Sequence, residues 1–444
     1  MSRDVSGRRL ENQKEGCFMR EIGVGLLGLG TVGSGVVRML QDHQDKISSI
    51  TGRRLVIRRV VVHNPDKPRS VDLGDIPVTT DVADLIHDPT VQIVVEVMGT
   101  IEPAATYIKQ LLMAGKHVVT ANKDLIAQRG DELIELAMDK QRDLMYEASV
   151  AGGIPILRTI ANSFPADQIL EVSGIVNGTT NFILTQMNQK NMTYADALKQ
   201  AQELGFAESD PTNDVKGIDA AYKMIILTRF AFGMTLSLDD LRVEGIDKVR
   251  LEDIKQAQSL GYTVKLIGTS KEIDGKVSVE VGPTLVANDH PLAGVQNENN
   301  AVLVVGAAAG NTMFYGPGAG QLPTANSVVS DIVSVTQNIV TGFTGNSFNN
   351  YAHEAALAHD EDAKSAYYFA LKLRDIPGQL LTLTKIMSET DASFKQLLQT
   401  SSDGDYAHVV MITHKISLAQ LKTITAQVAE LPHAELLASF RVLE

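Results

Sequence analysis

Six residues near the start of the chain restrict its fold more than any others. Gly28-Leu29-Gly30-Thr31-Val32-Gly33 is a G-x-G-x-x-G run that follows the apolar stretch Ile22-Gly23-Val24-Gly25-Leu26-Leu27 and precedes a helical pattern from Val36 to Leu40. In a strand–turn–helix context the three glycines have separate tasks. Gly28 permits the tight turn, Gly30 lets backbone amides approach a pyrophosphate at the positive helix end, and Gly33 allows close helix packing. Thr31 and Val32 complete this set, and the turn is expected to hold a dinucleotide.

The pattern after the turn continues as a parallel α/β unit. Leu55 to Val62, Ile93 to Val97, His117 to Thr120 and Leu144 to Tyr146 read as strands, with helical patterns at Ala104 to Ala114 and Asp131 to Arg142. A Rossmann-type, doubly wound parallel sheet is therefore expected over residues 20–150. Residues 151–350 mix helices with β-like runs and read as an α+β substrate-binding and dimerisation domain. Pattern alone leaves open where the helix near Asn326 to Val340 packs. A charged linker is expected at 351–365. Residues 366–444 follow the order βαββαβ, a ferredoxin-like layout.

Composition narrows the function classes. With 40 basic and 53 acidic residues the net charge is -13, which disfavours a general grip on nucleic acid. The single cysteine, Cys17, excludes an intrachain disulfide and a cysteine zinc cage, and a reducing, cytoplasmic setting is expected. No apolar run approaches the length that spans a bilayer, so no membrane partner is expected. The first residues are polar, lack the apolar core of a secretory signal, and read as a disordered tail over 1–19.

Several polar groups remain to be placed. The second strand runs into Val62-His63-Asn64-Pro65 with no acid for a ribose 2′-hydroxyl, while Arg58, Arg59, Lys67 and Arg69 stand nearby. NADP is favoured, with NAD use open; ordinary solvated cations are the plainer reading. Lys123, in Thr120-Ala121-Asn122-Lys123, follows a strand at the edge where ligands of open sheets bind, although a lysine there is commonly a surface charge. Glu147 to Pro155 offers one carboxylate and small residues whose carbonyls could turn on a cation; a structural turn is the simpler reading. Asn177-Gly178-Thr179-Thr180-Asn181 has the side chains of a helix start. The densest polar set is Gly205 to Pro211 with Asp214, Gly217, Asp219 and Lys223. Asp219 and Lys223 share a helical face, as an ordinary ion pair would. In a cleft such a lysine can protonate an alkoxide while Glu208 and Asp219 hold a substrate ammonium. Gly316-Pro317-Gly318-Ala319-Gly320 is a loop whose backbone can approach a ligand closely, or a connector.

Taken together, these runs and the spacing Asp214-Val215-x-Gly217-x-Asp219-Ala220-x-x-Lys223 resemble homoserine dehydrogenase, from about Arg20 to the end. Arg374-Asp375-Ile376-Pro377-Gly378 resembles the opening of an ACT domain. The resemblance implies NAD(P)-dependent interconversion of L-aspartate 4-semialdehyde and L-homoserine, on the route to threonine and methionine. It implies Lys223 as proton donor, Lys123 as a second cationic group contacting cofactor and substrate, and Glu208, Asp219 and Asp214 around the substrate amine. It adds Thr100, Gly205 and Gly318 as cofactor contacts. It also implies a monovalent cation, commonly sodium, held by Glu147, Val150, Gly152 and Ile154. An ACT unit implies an amino-acid effector and a homodimer or homotetramer.

Two departures stand out: the residues before Met19, which is itself a possible start, lie outside the family pattern, and Asn326 occupies a position where a small residue is usual. A catalytically silent amino-acid sensor and a dehydrogenase of another small semialdehyde are the competing readings. The first predicts loss of the polar groups, yet Lys123, Glu208, Asp219 and Lys223 are all present. The second gives no reason for the Glu208 to Lys223 array.

Overall fold

Runs such as Val24 to Leu27 and Ile93 to Val95 are apolar at consecutive positions, so both faces of their strands must be covered, as in a parallel sheet. The computed structural model describes residues 20–354, 356–401 and 404–444. The expected tail, with Cys17 and Met19, lies outside these residues. Six strands form the first sheet: β1 (Glu21–Leu27), β2 (Arg54–Val61), β3 (Val78–Thr79), β4 (Val91–Glu96), β5 (His117–Thr120) and β6 (Leu144–Met145). Their order is β3-β2-β1-β4-β5-β6 and every pairing is parallel. The order reverses between β1 and β4, which opens a crevice at their carboxyl ends.

The long helix Gln321–Thr341 does not stay with the second region. It returns to the first sheet, where Ala325, Val328, Val329, Ile332 and Val335 join the core of Val24, Leu26, Val36, Val37 and Leu40. Gly35 makes the approach possible, since a Cβ there would stand 2.7 Å from the Gln321 carbonyl and 2.9 Å from the Ala325 methyl. Each fully buried Val or Ile in this interface contributes roughly 1.5–3 kcal/mol.

Among the described residues, the second sheet has eleven strands. They are β7 (Ile169–Ile175), β8 (Arg242–Val243), β9 (Tyr262–Ile273), β10 (Lys276–Ala287), β11 (Asn299–Gly306), β12 (Gly310–Pro317), β13 (Lys364–Arg374), β14 (Phe394–Ser401), β15 (Tyr406–Thr413), β16 (Ile416–Ser417) and β17 (Ala434–Leu443). The main path runs β12-β11-β7-β9-β10-β17-β13-β15-β14, with β8 against β10 and β16 against β13. The last four strands of the path, with helices Gln379–Glu389 and Leu418–Ala429, make the βαββαβ unit.

That C-terminal unit is not a detached bead. Its strand β17 pairs in parallel with β10 at Thr284–Arg441, Leu285–Val442 and Val286–Leu443. An edge that would otherwise present unpaired amides is thereby closed. The segment expected as a linker is also tied down, with Val277 N donating to the Ala356 carbonyl at 2.8 Å and Ala358 N to the Val277 carbonyl at 3.0 Å.

Candidate active site

The glycine turn has the geometry its sequence predicts. Gly28 adopts φ +101°, and a Cβ there would stand 2.8 Å from the Val97 carbonyl. At Gly33 a Cβ would be 2.5 Å from the Gly28 carbonyl, so only glycine lets the helix Thr31–Asp42 sit this close. Gly30 faces open space within 4 Å, and no side chain caps the helix whose N-terminus it forms. The amides around Thr31 and Val32 are left without a side-chain cap, as an anion site at a helix N-terminus requires. Thr100 stands on the loop after β4, and its carbonyl accepts from Asn122 Nδ2 at 2.7 Å.

Of the four cations near β2, two face the wrong way. Arg58 pairs with Glu21 at the start of β1, and Arg59 lies 4.0 Å from Asp84 and 3.8 Å from Asp88, which precedes β4. Both are held toward the amino edge of the sheet and cannot meet a 2′-phosphate at the carboxyl edge. Lys67 and Arg69 remain on the exposed loop after β2. Arg69 organises that loop by donating to the Asn64, Pro65 and Lys67 carbonyls at 2.6–2.7 Å.

The polar set from the second region converges on Asp219. Gly217, at φ +80°, starts the helix Ile218–Phe232, which places Asp219 in its first turn and Lys223 one turn on. Asn122 caps the helix Lys123–Asp139 by accepting from Leu125 N, which fixes Lys123 at the carboxyl edge of β5. Asp219 then receives both lysines: Lys223 Nζ lies 2.8 Å from Oδ2 and Lys123 Nζ 3.2 Å from Oδ1. Lys223 also donates to the Val176 carbonyl at 2.6 Å. An ammonium has three N–H donors, so one is left for a ligand.

Burial alone would raise the Asp219 carboxyl, but Lys223, Lys123 and the Asn177 amide outweigh it and hold it down at about 2. Burial likewise works against the Lys123 ammonium, yet Asp219 and Asp124 keep it above the ordinary lysine value. Asp214 moves the other way, raised first by burial and then by the Asp219 charge.

Sequence reasoning read Asn177 as a helix cap, and its Oδ1 does accept from Thr180 N at 2.8 Å. It missed the other end of that amide, where Nδ2 donates to Asp214 Oδ1 and Asp219 Oδ2, both at 2.7 Å. Asn300 was missed altogether. It is 1% exposed, neither amide atom has a partner among the described residues, and a Cβ on Gly318 would fall 2.1 Å from its Cγ. Asn300, the second residue of β11 after Asn299, stands in a polar run before an apolar strand and gave no pattern to find.

Glu208 is not brought into the cluster. It is exposed on the loop after Gly205, where Gln202 bonds its backbone carbonyl, and its carboxylate does not touch Asp219 or Lys223. Gly205 itself has φ +77° with open space beside it.

Glu147 is buried, and its oxygens accept from Leu157 N at 2.9 Å and Arg158 N at 2.7 Å. The Arg158 Nε stands 3.9 Å away. Burial raises this carboxyl. The Gly152 carbonyl accepts from Ser327 Oγ at 2.6 Å and the Ile154 carbonyl from Ile156 N at 2.8 Å. A Cβ on Gly152 would lie 2.5 Å from the Gly318 carbonyl, so this loop and the Gly316–Gly320 loop are in direct contact.

Comparison with known proteins decides the family. A family model described as homoserine dehydrogenase matches residues 155–333, and one described as homoserine dehydrogenase, NAD binding domain, matches residues 28–147. The homoserine dehydrogenase of Bacillus subtilis is 48% identical over 415 residues, covering 93% of this chain and 96% of the relative. The chain belongs to the homoserine dehydrogenase family. It is an NAD(P)-dependent oxidoreductase that interconverts L-aspartate 4-semialdehyde and L-homoserine in threonine and methionine biosynthesis.

The Lactococcus lactis homoserine dehydrogenase is 45% identical, covering 95% of this chain and 99% of the relative. The crystal structure of a homoserine dehydrogenase from Thiobacillus denitrificans superposes with a TM-score of 0.92 at 36% identity, covering 96% of this chain and 99% of that one. A hyperthermophilic archaeal homoserine dehydrogenase solved with NADPH gives a TM-score of 0.59 at 27% identity, covering 71% of this chain and 98% of that one. No described helix is long and apolar enough to cross a membrane.

Proposed function

We propose that Lys223 is the proton donor of this reaction and that Asp219 is the group that aims it. The observation that carries this reading is the sharing of Asp219 by Lys223 and Lys123 across the two regions of the chain. A nicotinamide cofactor, its pyrophosphate held at the Gly28–Gly33 turn, would supply or accept the hydride. Negative charge then grows on the aldehyde oxygen, and the unused N–H of Lys223 can stabilise it and pass a proton to give the alcohol. Lys123, kept cationic by Asp219, adds a second positive group at the same place.

With both Asp219 oxygens engaged by lysines, the substrate ammonium falls to Asp214 and to Glu208. Glu208, on the exposed loop after Gly205, would join Asp214 only by an inward movement of that loop, and Gly205 and Gly318 would contact the cofactor. For the cofactor itself we favour NADP, held at its 2′-phosphate by Lys67 and Arg69.

A monovalent cation fits the loop from Glu147 to Ile154 better than a divalent one, because one carboxylate and carbonyl oxygens carry too little charge for calcium or magnesium. Glu147 with the Val150, Gly152 and Ile154 carbonyls would hold it. Sodium is the candidate, and a rise in melting temperature with sodium but not choline chloride would support it. We place the enzyme in the cytoplasm as a homodimer or homotetramer, and we read the C-terminal unit as a sensor of an amino acid.

The test is oxidation of NADPH and NADH with L-aspartate 4-semialdehyde by the parent and by Lys223→Ala. A drop of about a hundredfold or more at saturating cofactor supports the proton role. A variant that keeps parent kcat overturns it.

A further inference from the structure

Strand β11 divides its side chains between two cores. Ala301 and Leu303 enter the core of Ile175 and Ile267, whereas Val302 and Val304 enter the core that holds Ala220 and Met224 of the helix Ile218–Phe232. By the two-residue period of a strand, Asn300 belongs to the second face, the one covered by the helix of Asp219 and Lys223. Its chain neighbour Ala301 pairs with Ile175, which brings Asn300 beside Val176, the residue whose carbonyl anchors Lys223. On its other flank Asn300 pairs with Gly316, and a Cβ on Gly318 would overlap the Asn300 amide itself.

The loop Gly316–Gly320 links this amide to the glycine turn. It leaves β12 opposite Asn300, is tied to Gly153 N through the Pro317 carbonyl at 3.1 Å, and runs into the helix Gln321–Thr341. That helix abuts Gly35, two residues past the turn, where a Cβ would stand 2.7 Å from the Gln321 carbonyl. One end of the loop therefore stands beside the anchor of Lys223 and the other beside the helix that begins at the pyrophosphate turn. A dinucleotide with its pyrophosphate on the turn and its reactive ring at Lys223 has that ring at the Asn300 end.

Among the described residues neither Oδ1 nor Nδ2 of Asn300 has a partner, although the side chain is 1% exposed. A buried amide left in that condition is costly, and it calls for a ligand group that completes the pairing. A substrate carboxylate would use Nδ2 alone and a substrate ammonium Oδ1 alone, whereas a carboxamide offers a donor and an acceptor in one plane and uses both. We propose that Asn300 pairs with the carboxamide of the nicotinamide ring and so fixes the rotation of that ring beside the substrate. Glycine is then required at 318 because the amide fills the space of a side chain there.

The assignment rests on the reading that places the reaction at Lys223, and the experiment keeps the two apart by reading binding without substrate. The probes are the reduced nicotinamide nucleotide that the parent binds more tightly, NADPH or NADH, and its 3-acetylpyridine analogue, in which a methyl replaces the amino group of the carboxamide. Calorimetry on the full chain is expected to show the analogue binding the parent about tenfold more weakly, since Oδ1 then lacks its donor. In Asn300→Ala the natural nucleotide should lose about tenfold and the difference between the two probes should vanish. The melting temperature without nucleotide should not fall, because no protein contact of the amide is removed. If the alanine variant fails to fold, the near-isosteric Asn300→Leu carries the same comparison. A parent that does not distinguish the probes, or a preference that survives in the variant, overturns the assignment. So does unchanged nucleotide affinity with a raised KM for the semialdehyde, which would give Asn300 to the substrate. Parent kcat in Lys223→Ala would count against the proton role alone, and the binding comparison would still decide Asn300.

Discussion

Lys123 meets Asp219 across the boundary between the parallel sheet and the second region, Nζ to Oδ1 at 3.2 Å. Because Asp219 also holds Lys223, its charge fixes the separation of two ammonium groups that would otherwise repel. Asp219→Asn keeps the shape and removes that charge. The variant is expected to lose about 10²–10³-fold in kcat with a smaller change in cofactor KM, since aim at the developing oxyanion is what is lost. Steady-state rates at saturating NADPH check it, and a tenfold change in cofactor KM with unchanged kcat would contradict the role.

The two glycines of the turn are expected to separate folding from binding. Gly33→Ala drives a methyl to 2.5 Å from the Gly28 carbonyl, and it should cost about 1–3 kcal/mol of stability as well as cofactor affinity. Gly30→Ala meets nothing within 4 Å of protein. Its melting temperature should stay near that of the parent while NADPH affinity falls about tenfold, because the methyl occupies the pyrophosphate approach. Calorimetry and a thermal melt on the same preparations test both halves.

The legible parts of this chain were those written in local pattern. Continuous apolar runs gave the parallel sheet, and the βαββαβ order gave the C-terminal unit. What was not legible depended on long-range register. Nothing in Gln321 to Thr341 says which core its Val328 and Ile332 enter, and nothing in Arg441 says that it will pair opposite Thr284. The site followed the same rule. Asp219 and Lys223, four residues apart on one helix, could be paired from spacing, whereas the Lys123 contact to Asp219 and the double donation by Asn177 needed the fold. Arg58 and Arg59 were misplaced because proximity in sequence does not tell which end of a strand a long side chain follows.

That misplacement yields a prediction about cofactor choice. Lys67→Glu puts a negative charge on the loop after β2 and is expected to raise the KM for NADPH about tenfold relative to that for NADH. Arg58→Gln removes a cation paired with Glu21 at the opposite edge and should leave the ratio alone. Paired assays with both nicotinamides decide it, and a shift in Arg58→Gln as large as in Lys67→Glu would return Arg58 to the cofactor.

Acid stability should carry the signature of a buried histidine. His117 lies in β5 at 5% exposure, and its Nδ1 accepts from Asp143 N at 3.0 Å, which requires the neutral ring. Burial, aided by the Arg142 charge, lowers its pKa from 6.5 to about 4. Between those values the unfolded chain binds a proton that the native ring refuses, so stability is complete above pH 6.5 and is lost as the pH falls toward 4. The slope is about 1.4 kcal/mol per pH unit for one such proton. His117→Asn keeps an acceptor for the Asp143 amide and cannot be protonated. Urea midpoints at pH 7.5, 6 and 5 should therefore fall less steeply in the variant than in the parent, and equal slopes would show that His117 does not titrate in this window.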